Sequence, residues 1–173
     1  MRSYFVLDGG PDRAVGWPDD VAGATRLDAL RWLSDPEATP RAPARLYNLC
    51  SRYDYQSLGY YVSLLAEARG LKVVPTLTTL QDLRNRSLAL ARAEELAPLV
   101  ARSLQERSGE RFTWIVAFGE PLDGRWSSLA RRLYGLFPAP LLHATFRRDT
   151  ERGGWSLTEL RVAEDGSIAA ERS

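Results

Sequence analysis

Residues able to do chemistry crowd into one stretch, Asn48 to Tyr61. Asn48, Cys50, Ser51, Arg52, Tyr53, Asp54, Tyr55, Gln56 and Ser57 follow one another with little apolar interruption. Neutral donors at a helix start lie among free N–H groups. Ser51, Tyr53, Gln56 and Ser57 could therefore hold a carboxylate or phosphate without a glycine-rich cradle. Ordinary capping by Ser51 or Asp54, with aromatic packing, uses the same residues, and the two readings stand level. Asn48 sits in an apolar run, where a buried amide must be hydrogen-bonded. It either ties the strand to its loop, the stronger reading, or faces a ligand. Tyr60 and Tyr61 are adjacent, so at most one points fully into a core and the other covers a pocket or a partner.

Covalent chemistry would need a nucleophile and a base. Cys50 is the only cysteine and His143 the only histidine. A helix start lowers a thiol pKa, so Cys50 and Tyr53 are the catalytic candidates. A buried structural cysteine is the plainer account. Glu120 follows an apolar strand at Phe118-Gly119-Glu120 and is a further ligand-contact candidate beside a simple turn role. One His and one Cys cannot build a closed metal site, and the acidic residues show no ligand spacing, so no metal is expected. Asp8-Gly9-Gly10 lacks the spacing of a phosphate loop and reads as a turn.

These residues need a scaffold. Tyr4–Leu7, Leu46–Leu49 and Lys72–Val74 read as strands, with a helix from about Gln56 to Arg69 between the last two. That helix has Leu58, Tyr61, Val62, Leu65 and Ala68 on one face, and Gly70 stops it. Such a unit is a right-handed parallel crossover. Residues 9–20 read as irregular. Thr25-Arg26-Leu27-Asp28 resembles a capping box opening a short helix through Leu33. A helix through Leu96, Leu99, Val100 and Leu104 has Pro98 near its start. Phe112–Phe118 is apolar on both sides and reads as a central strand. Asp123 is placed to cap a helix through Leu136, and Leu141–Arg147 with Trp155–Val162 form an antiparallel hairpin. The expected fold is α/β and three-layered, a mostly parallel sheet with flanking helices and a C-terminal antiparallel hairpin. It forms a single domain over residues 1–163, with a polar tail at 164–173.

Bulk properties narrow the function. A chain of 173 residues buries a sizeable core. A net charge of +1 gives no electrostatic footprint for nucleic acid or anionic membrane, so neither is an expected partner. Lys72 is the only lysine, but the arginines that replace it are scattered, which argues against a phosphate-binding face. One cysteine, no apolar run of membrane length and no signal-peptide pattern point to the cytoplasm.

The run Tyr47-Asn48-Leu49-Cys50, then Tyr53-x-Tyr55-Gln56-Ser57-x-Gly59-Tyr60-Tyr61-Val62-Ser63-Leu64-Leu65-Ala66-Glu67-Ala68-Arg69-Gly70, resembles the RimK-like ATP-grasp N-terminal domain family. The similarity continues through Pro75, Gln81-Asp82-Leu83, Phe118-Gly119 and Leu136–Leu142, covering most of residues 45–147. Leu71 stands where a histidine often follows the glycine, and His143 where arginine is expected, which weakens any claim that a basic group at either position is essential here. The resemblance implies a bacterial domain usually fused ahead of a RimK-like ATP-grasp ligase. That partner, in cis or in trans, activates a carboxylate with ATP and Mg²⁺ for attack by an amine in peptide or amino-acid modification. This chain is too short to hold that machinery beside the domain, so no cofactor is expected in the domain itself. The leading expectation is a non-catalytic substrate-recognition or docking domain. The alternatives are a small enzyme coupled to the ligase, with Cys50 or Tyr53 in its site, and a structural interaction module. Homo-oligomerisation stays open.

Overall fold

A computed structural model describes residues 1–9, 24–41, 43–149 and 153–163. Residues 10–23, 42, 150–152 and 164–173, which take in most of the stretch expected to be irregular and the expected polar tail, lie outside the described residues. The protein is α/β and divides into two compact units, Met1–Leu77 and Thr78–Ser173.

The first unit contains β1 (Arg2–Leu7), β2 (Ala24–Asp28), α1 (Ala29–Ser34), β3 (Ala44–Asn48), α2 (Leu58–Ala68) and β4 (Lys72–Val74). Its four strands are parallel in the order β2-β1-β3-β4. Tyr4 lies opposite Thr25 on one side and Leu46 on the other. The chain moves outward from β1 in both directions, so the order reverses between β1 and β3. In open α/β sheets the crevice beyond the strand carboxyl ends at such a reversal is the usual ligand position. The Asn48–Tyr61 loop leaves β3 there. Beneath it, Val6, Trp32, Leu46, Val62, Ala66 and Val73 form a continuous apolar core.

Two expectations in this unit are corrected. Residues 24–28 form an edge strand, not a helix opening, and Asp28 is the cap of α1, its Oδ1 accepting from Arg31 N at 2.8 Å. The β-branched Thr25 pairs along β1 instead of capping. The buried face of α2 is Gly59, Val62, Ser63 and Ala66, while Tyr61 and Ala68 are exposed. A face of small residues seats the helix close to the sheet, and the Ser63 hydroxyl is tolerated there because it is hydrogen-bonded. The expected stop holds. Gly70 has φ 71°, Gly70 N donates to Glu67 O and Leu71 N to Ala66 O, the bonding of a Schellman end.

The second unit continues α3 (Leu77–Arg84), which starts at the last residue of the first. Then come α4 (Arg86–Ala93), α5 (Ala97–Leu104), β5 (Arg111–Ala117), β6 (Glu120–Pro121), α6 (Ser127–Leu136), β7 (Leu141–Arg148) and β8 (Trp155–Val162). Pro98 sits in the first turn of α5, as expected. The sheet is antiparallel, β6-β5-β7-β8, and contains the expected hairpin as β7–β8. β5 is interior but belongs to this antiparallel sheet, so Glu120 is not at a parallel carboxyl edge. Phe112, Trp114 and Val116 face a core shared with Phe146, Trp155 and Leu160. Asp123 does not cap α6. Its Oδ1 accepts from Trp114 Nε1 at 3.2 Å and Arg125 N at 3.1 Å, and Trp126 takes the cap position without a side-chain bond.

Gly59 fixes how closely α2 approaches the loop. A Cβ there would lie 2.3 Å from Arg52 O and 2.9 Å from Cys50 Cβ. Alanine gains about 1 kcal/mol of helix propensity over glycine, but overpacking against backbone costs roughly 1–3 kcal/mol or more. Gly59→Ala is therefore expected to lower stability by about 2 kcal/mol, read as a shifted urea midpoint. An unchanged midpoint contradicts this packing.

Candidate functional site

Asn48 ends β3 with its side chain fully buried. Its Nδ2 donates to Gly59 O at 2.7 Å and to Ser63 Oγ at 2.9 Å, which uses both amide hydrogens. Oδ1 accepts from Cys50 N at 3.2 Å. Ser63 Oγ in turn donates to Pro75 O at 2.7 Å, just beyond β4. One amide therefore joins the end of β3, the first turn of α2 and, through Ser63, the exit of β4. Tyr53 folds back over the same point, its hydroxyl donating to Asn48 O at 2.8 Å.

Ser51 and Ser57 are also engaged within the protein. Ser51 N and Oγ both donate to the Asp8 carboxylate, at 2.8 and 2.7 Å. Leu49 N donates to Val6 O at 2.8 Å. These bonds stitch the β1 and β3 exits together across the reversal point. Ser57 is the cap of α2. Its Oγ accepts from Tyr60 N at 3.2 Å and donates to Arg52 O at 3.0 Å. Arg52 and Asp54 form an exposed two-point pair, Nε to Oδ1 at 3.0 Å and Nη2 to Oδ2 at 2.9 Å.

Gln56 is exposed with φ 68°, in the left-handed region that a non-glycine residue occupies at a cost. The turn it makes leaves the aromatic side chains outside. Tyr55 is 61% exposed and Tyr61 38% exposed, with Tyr60 half-buried between them. Their rings meet edge to face, Tyr55–Tyr60 at 5.3 Å and Tyr60–Tyr61 at 5.5 Å between centroids. The sequence places Asn48, Ser51, Tyr53, Gln56, Ser57 and Tyr60 together, and the fold does bring them together. Glu120 belongs to the other unit, where its carboxylate pairs with Arg131 Nε at 3.0 Å.

Two residues that build this loop escape a reading of the sequence. Asp8 looks like a turn residue, yet it receives both Ser51 donors; an acid at the exit of the strand beside the reversal point was the available signal. Ser63 is masked by the apolar residues around it, although Gly59-Val62-Ser63-Ala66 has the spacing of a close-packed face.

Cys50 is buried, 3% exposed, beneath the start of α2. A structural thiol fits that position better than a nucleophile. His143 lies on β7 in the second unit, its Nδ1 buried with no hydrogen-bond partner. Burial above all, then the Arg161 guanidinium, holds its pKa below the ordinary 6.5, and Glu159 only partly offsets this. The unfolded chain takes up this proton more readily than the folded one. The contribution of neutral His143 to stability is then full above pH 6.5 and is lost as the pH falls from there through the lowered value. His143→Gln should flatten the decline of the urea midpoint between about pH 7 and pH 5. Parallel profiles for the two proteins contradict the assignment.

Among the described residues no three His, Cys, Asp or Glu side chains converge as a metal-ligand set, and no helix is long and apolar enough to cross a membrane.

Solved structures with a similar fold are ligases of low sequence identity. The macrocyclase MdnB from Microcystis aeruginosa MRC matches with TM-score 0.51 at 12% identity, over 92% of this chain and 89% of that one. The ATP-grasp ligase PsnB, complexed with precursor peptide PsnA2 and AMPPNP, matches with TM-score 0.51 at 9% identity, over 98% and 95%. The D-alanine–D-alanine ligase of Bacillus anthracis, complexed with ATP, matches with TM-score 0.50 at 8% identity, over 98% and 92%. These identities carry the likeness of fold alone. No curated protein is significantly similar in sequence. Residues 29–173 match the RimK-like ATPgrasp N-terminal domain, a span that includes the buried amide, the inward-turned hydroxyls and the exposed tyrosines, and the chain belongs to that family.

Proposed function

We propose that this chain is a non-catalytic substrate-recognition or docking domain associated with a RimK-like ATP-grasp carboxylate–amine ligase, acting in peptide or amino-acid modification. One observation carries the reading. At the sheet's reversal point Asn48, Ser51, Tyr53 and Ser57 are engaged in hydrogen bonds within the protein, while the rings of Tyr55 and Tyr61 are exposed. A catalytic loop would hold a nucleophile or base towards the crevice. Here Cys50 is buried, and the Tyr53 hydroxyl is engaged by Asn48 O.

A row of tyrosines in edge-to-face contact suits a contact surface. Tyrosine offers a large amphipathic face at small conformational-entropy cost and is enriched where proteins meet partners. In this reading Asn48, Ser51, Tyr53 and Ser57 are positioning residues. Gln56, Tyr60 and the flanking Tyr55 and Tyr61 make the contact. Its partner is the ATP-grasp domain, in cis or in trans, or the peptide that domain modifies. Residues 1–163 would act as one functional module. PsnB bound to a precursor peptide gives the precedent for a peptide ligand in a related fold.

ATP and Mg²⁺ would act in the associated ligase. PsnB has been observed with Mg and ADP in that fold. No step of the ligation is assigned to this chain's own residues.

The test is the double variant Tyr55→Ala, Tyr61→Ala, titrated by calorimetry against a RimK-like ATP-grasp ligase domain, with and without a peptide substrate. A loss of about tenfold or more in affinity, about 1.4 kcal/mol, with unchanged circular dichroism is expected. Undiminished affinity contradicts the proposed surface.

A further inference from the structure

In the second unit, between the end of α5 and the start of α6, lies a cavity of about 400 Å³. Arg102, Ser103, Arg107, Ser108, Arg125 and Trp126 line it. The size is that of a small-molecule site. Three of these residues are cationic. None of the three forms an ion pair among the described residues, although arginines elsewhere on this unit do: Arg92 with Asp82, Arg131 with Glu120, Arg132 with Glu95. Glu106 also borders the cavity and offsets one charge, leaving an excess of two.

Arg107 is the best defined of the three. Its guanidinium carbon lies 3.9 Å from the centre of the Phe112 ring and 5.7 Å from that of Trp126. Those rings are themselves in contact, 5.5 Å apart. The Nε of Arg107 is buried with no hydrogen-bond partner. Arg107 also lines a second cavity of about 400 Å³, bordered by Phe112, Trp114 and Asp123. A guanidinium placed against aromatic faces keeps its in-plane N–H groups for a planar or forked acceptor, the geometry of two-point carboxylate and phosphate recognition. Grouping three cations around the single carboxylate of Glu106 leaves an excess of two positive charges, whose Coulomb cost an anion would relieve.

The backbone adds to the same sign. Trp126 opens α6 in the left-handed conformation with no side-chain cap, so the free N–H groups of a ten-residue helix follow directly on a residue lining the cavity. The carboxyl end of α5 opposes this with a partial charge of about one half, which three full positive charges outweigh.

We propose that this cavity binds a small oxyanion, a carboxylate or phosphate group on an organic body. Arg107 makes the two-point contact, Arg102 and Arg125 add charge, and Trp126 covers the apolar part. The site shares no residue with the tyrosine surface and stands or falls separately from it.

The test uses the full chain in low-salt, non-phosphate buffer. Inorganic phosphate, phenyl phosphate and glutarate are titrated by calorimetry, and chemical shifts of the arginine Nε–H groups are followed by NMR. Saturable binding of at least one anion is expected, with a shift of the Arg107 Nε resonance. Arg107→Met keeps a long side chain on the rings and should weaken binding at least tenfold. The double variant Arg102→Gln, Arg125→Gln alters exposed positions only, and should weaken it at least threefold with the fold intact. Phenyl phosphate binding more tightly than glutarate assigns a phosphate ligand, and the reverse order a dicarboxylate. Absence of saturable binding by all three, or equal affinity in both variants, overturns the proposal.

Discussion

The amide of Asn48 is taken wholly out of water where three elements meet, and every one of its hydrogen-bonding contacts is supplied by the protein. A buried polar group left without a partner costs about 1–3 kcal/mol, and this amide satisfies three others besides itself. Gly59 O, Ser63 Oγ and Cys50 N would each lose a partner with it. The demand fixes the end of β3 relative to the first turn of α2 and, through Ser63 Oγ and Pro75 O, to the exit of β4. Small residues on the buried face of α2 are the steric counterpart of the same constraint. The helix must come close enough for the amide to reach, and Gly59 has no room for a Cβ.

The loop's outward character follows from that inward economy. Once the amide and the hydroxyls of Ser51, Tyr53 and Ser57 are engaged, the chain has few ways to turn from strand to helix. Gln56 takes a left-handed conformation to complete the turn. Beside the exposed Arg52–Asp54 pair and Gln56, the surface then carries the rings of Tyr55 and Tyr61, with Tyr60 in edge-to-face contact between them. An aromatic surface at a sheet's reversal point then follows from how the loop is held, and it is the surface to which the proposed function gives an occupant. The second unit solves a different problem. Its aromatic core packs Phe112 against Phe146, Trp155 and Trp126, and brings Arg107 onto the same cluster.

Local signals were legible in the sequence where one residue type decides the backbone. Gly70 ends α2, Pro98 sits in the first turn of α5, and the apolar alternation of residues 141–147 and 155–162 gives the hairpin. The strand–loop–helix–strand run around Asn48 was equally clear, as was the burial of its amide. What failed depended on tertiary context. Thr25–Asp28 carries a capping pattern, but only pairing with β1 shows that all four residues extend a sheet and that the last of them also caps α1. Asp123 has the right type for a cap, yet the indole of Trp114 competes for its carboxylate. The α2 face was misread because apolar Leu58 and Leu65 outweighed a serine whose partner is 15 residues away. α3, with Leu77, Leu80 and Leu83 three residues apart, and α4 lie outside the elements read from the sequence. Nothing local to Phe112–Phe118 distinguishes an interior strand of a parallel sheet from one in an antiparallel sheet, which is why Glu120 was grouped with the loop.

The account rests on Asn48 and Ser63 acting as one connected unit. A double-mutant cycle with Asn48→Ala, Ser63→Ala and the pair, by urea unfolding, tests that directly. Residues in one hydrogen-bond network couple by roughly 0.5–3 kcal/mol, and a coupling of about 1 kcal/mol or more is predicted here. Additive losses, with coupling indistinguishable from zero, would contradict the claim that this buried amide holds the loop in place.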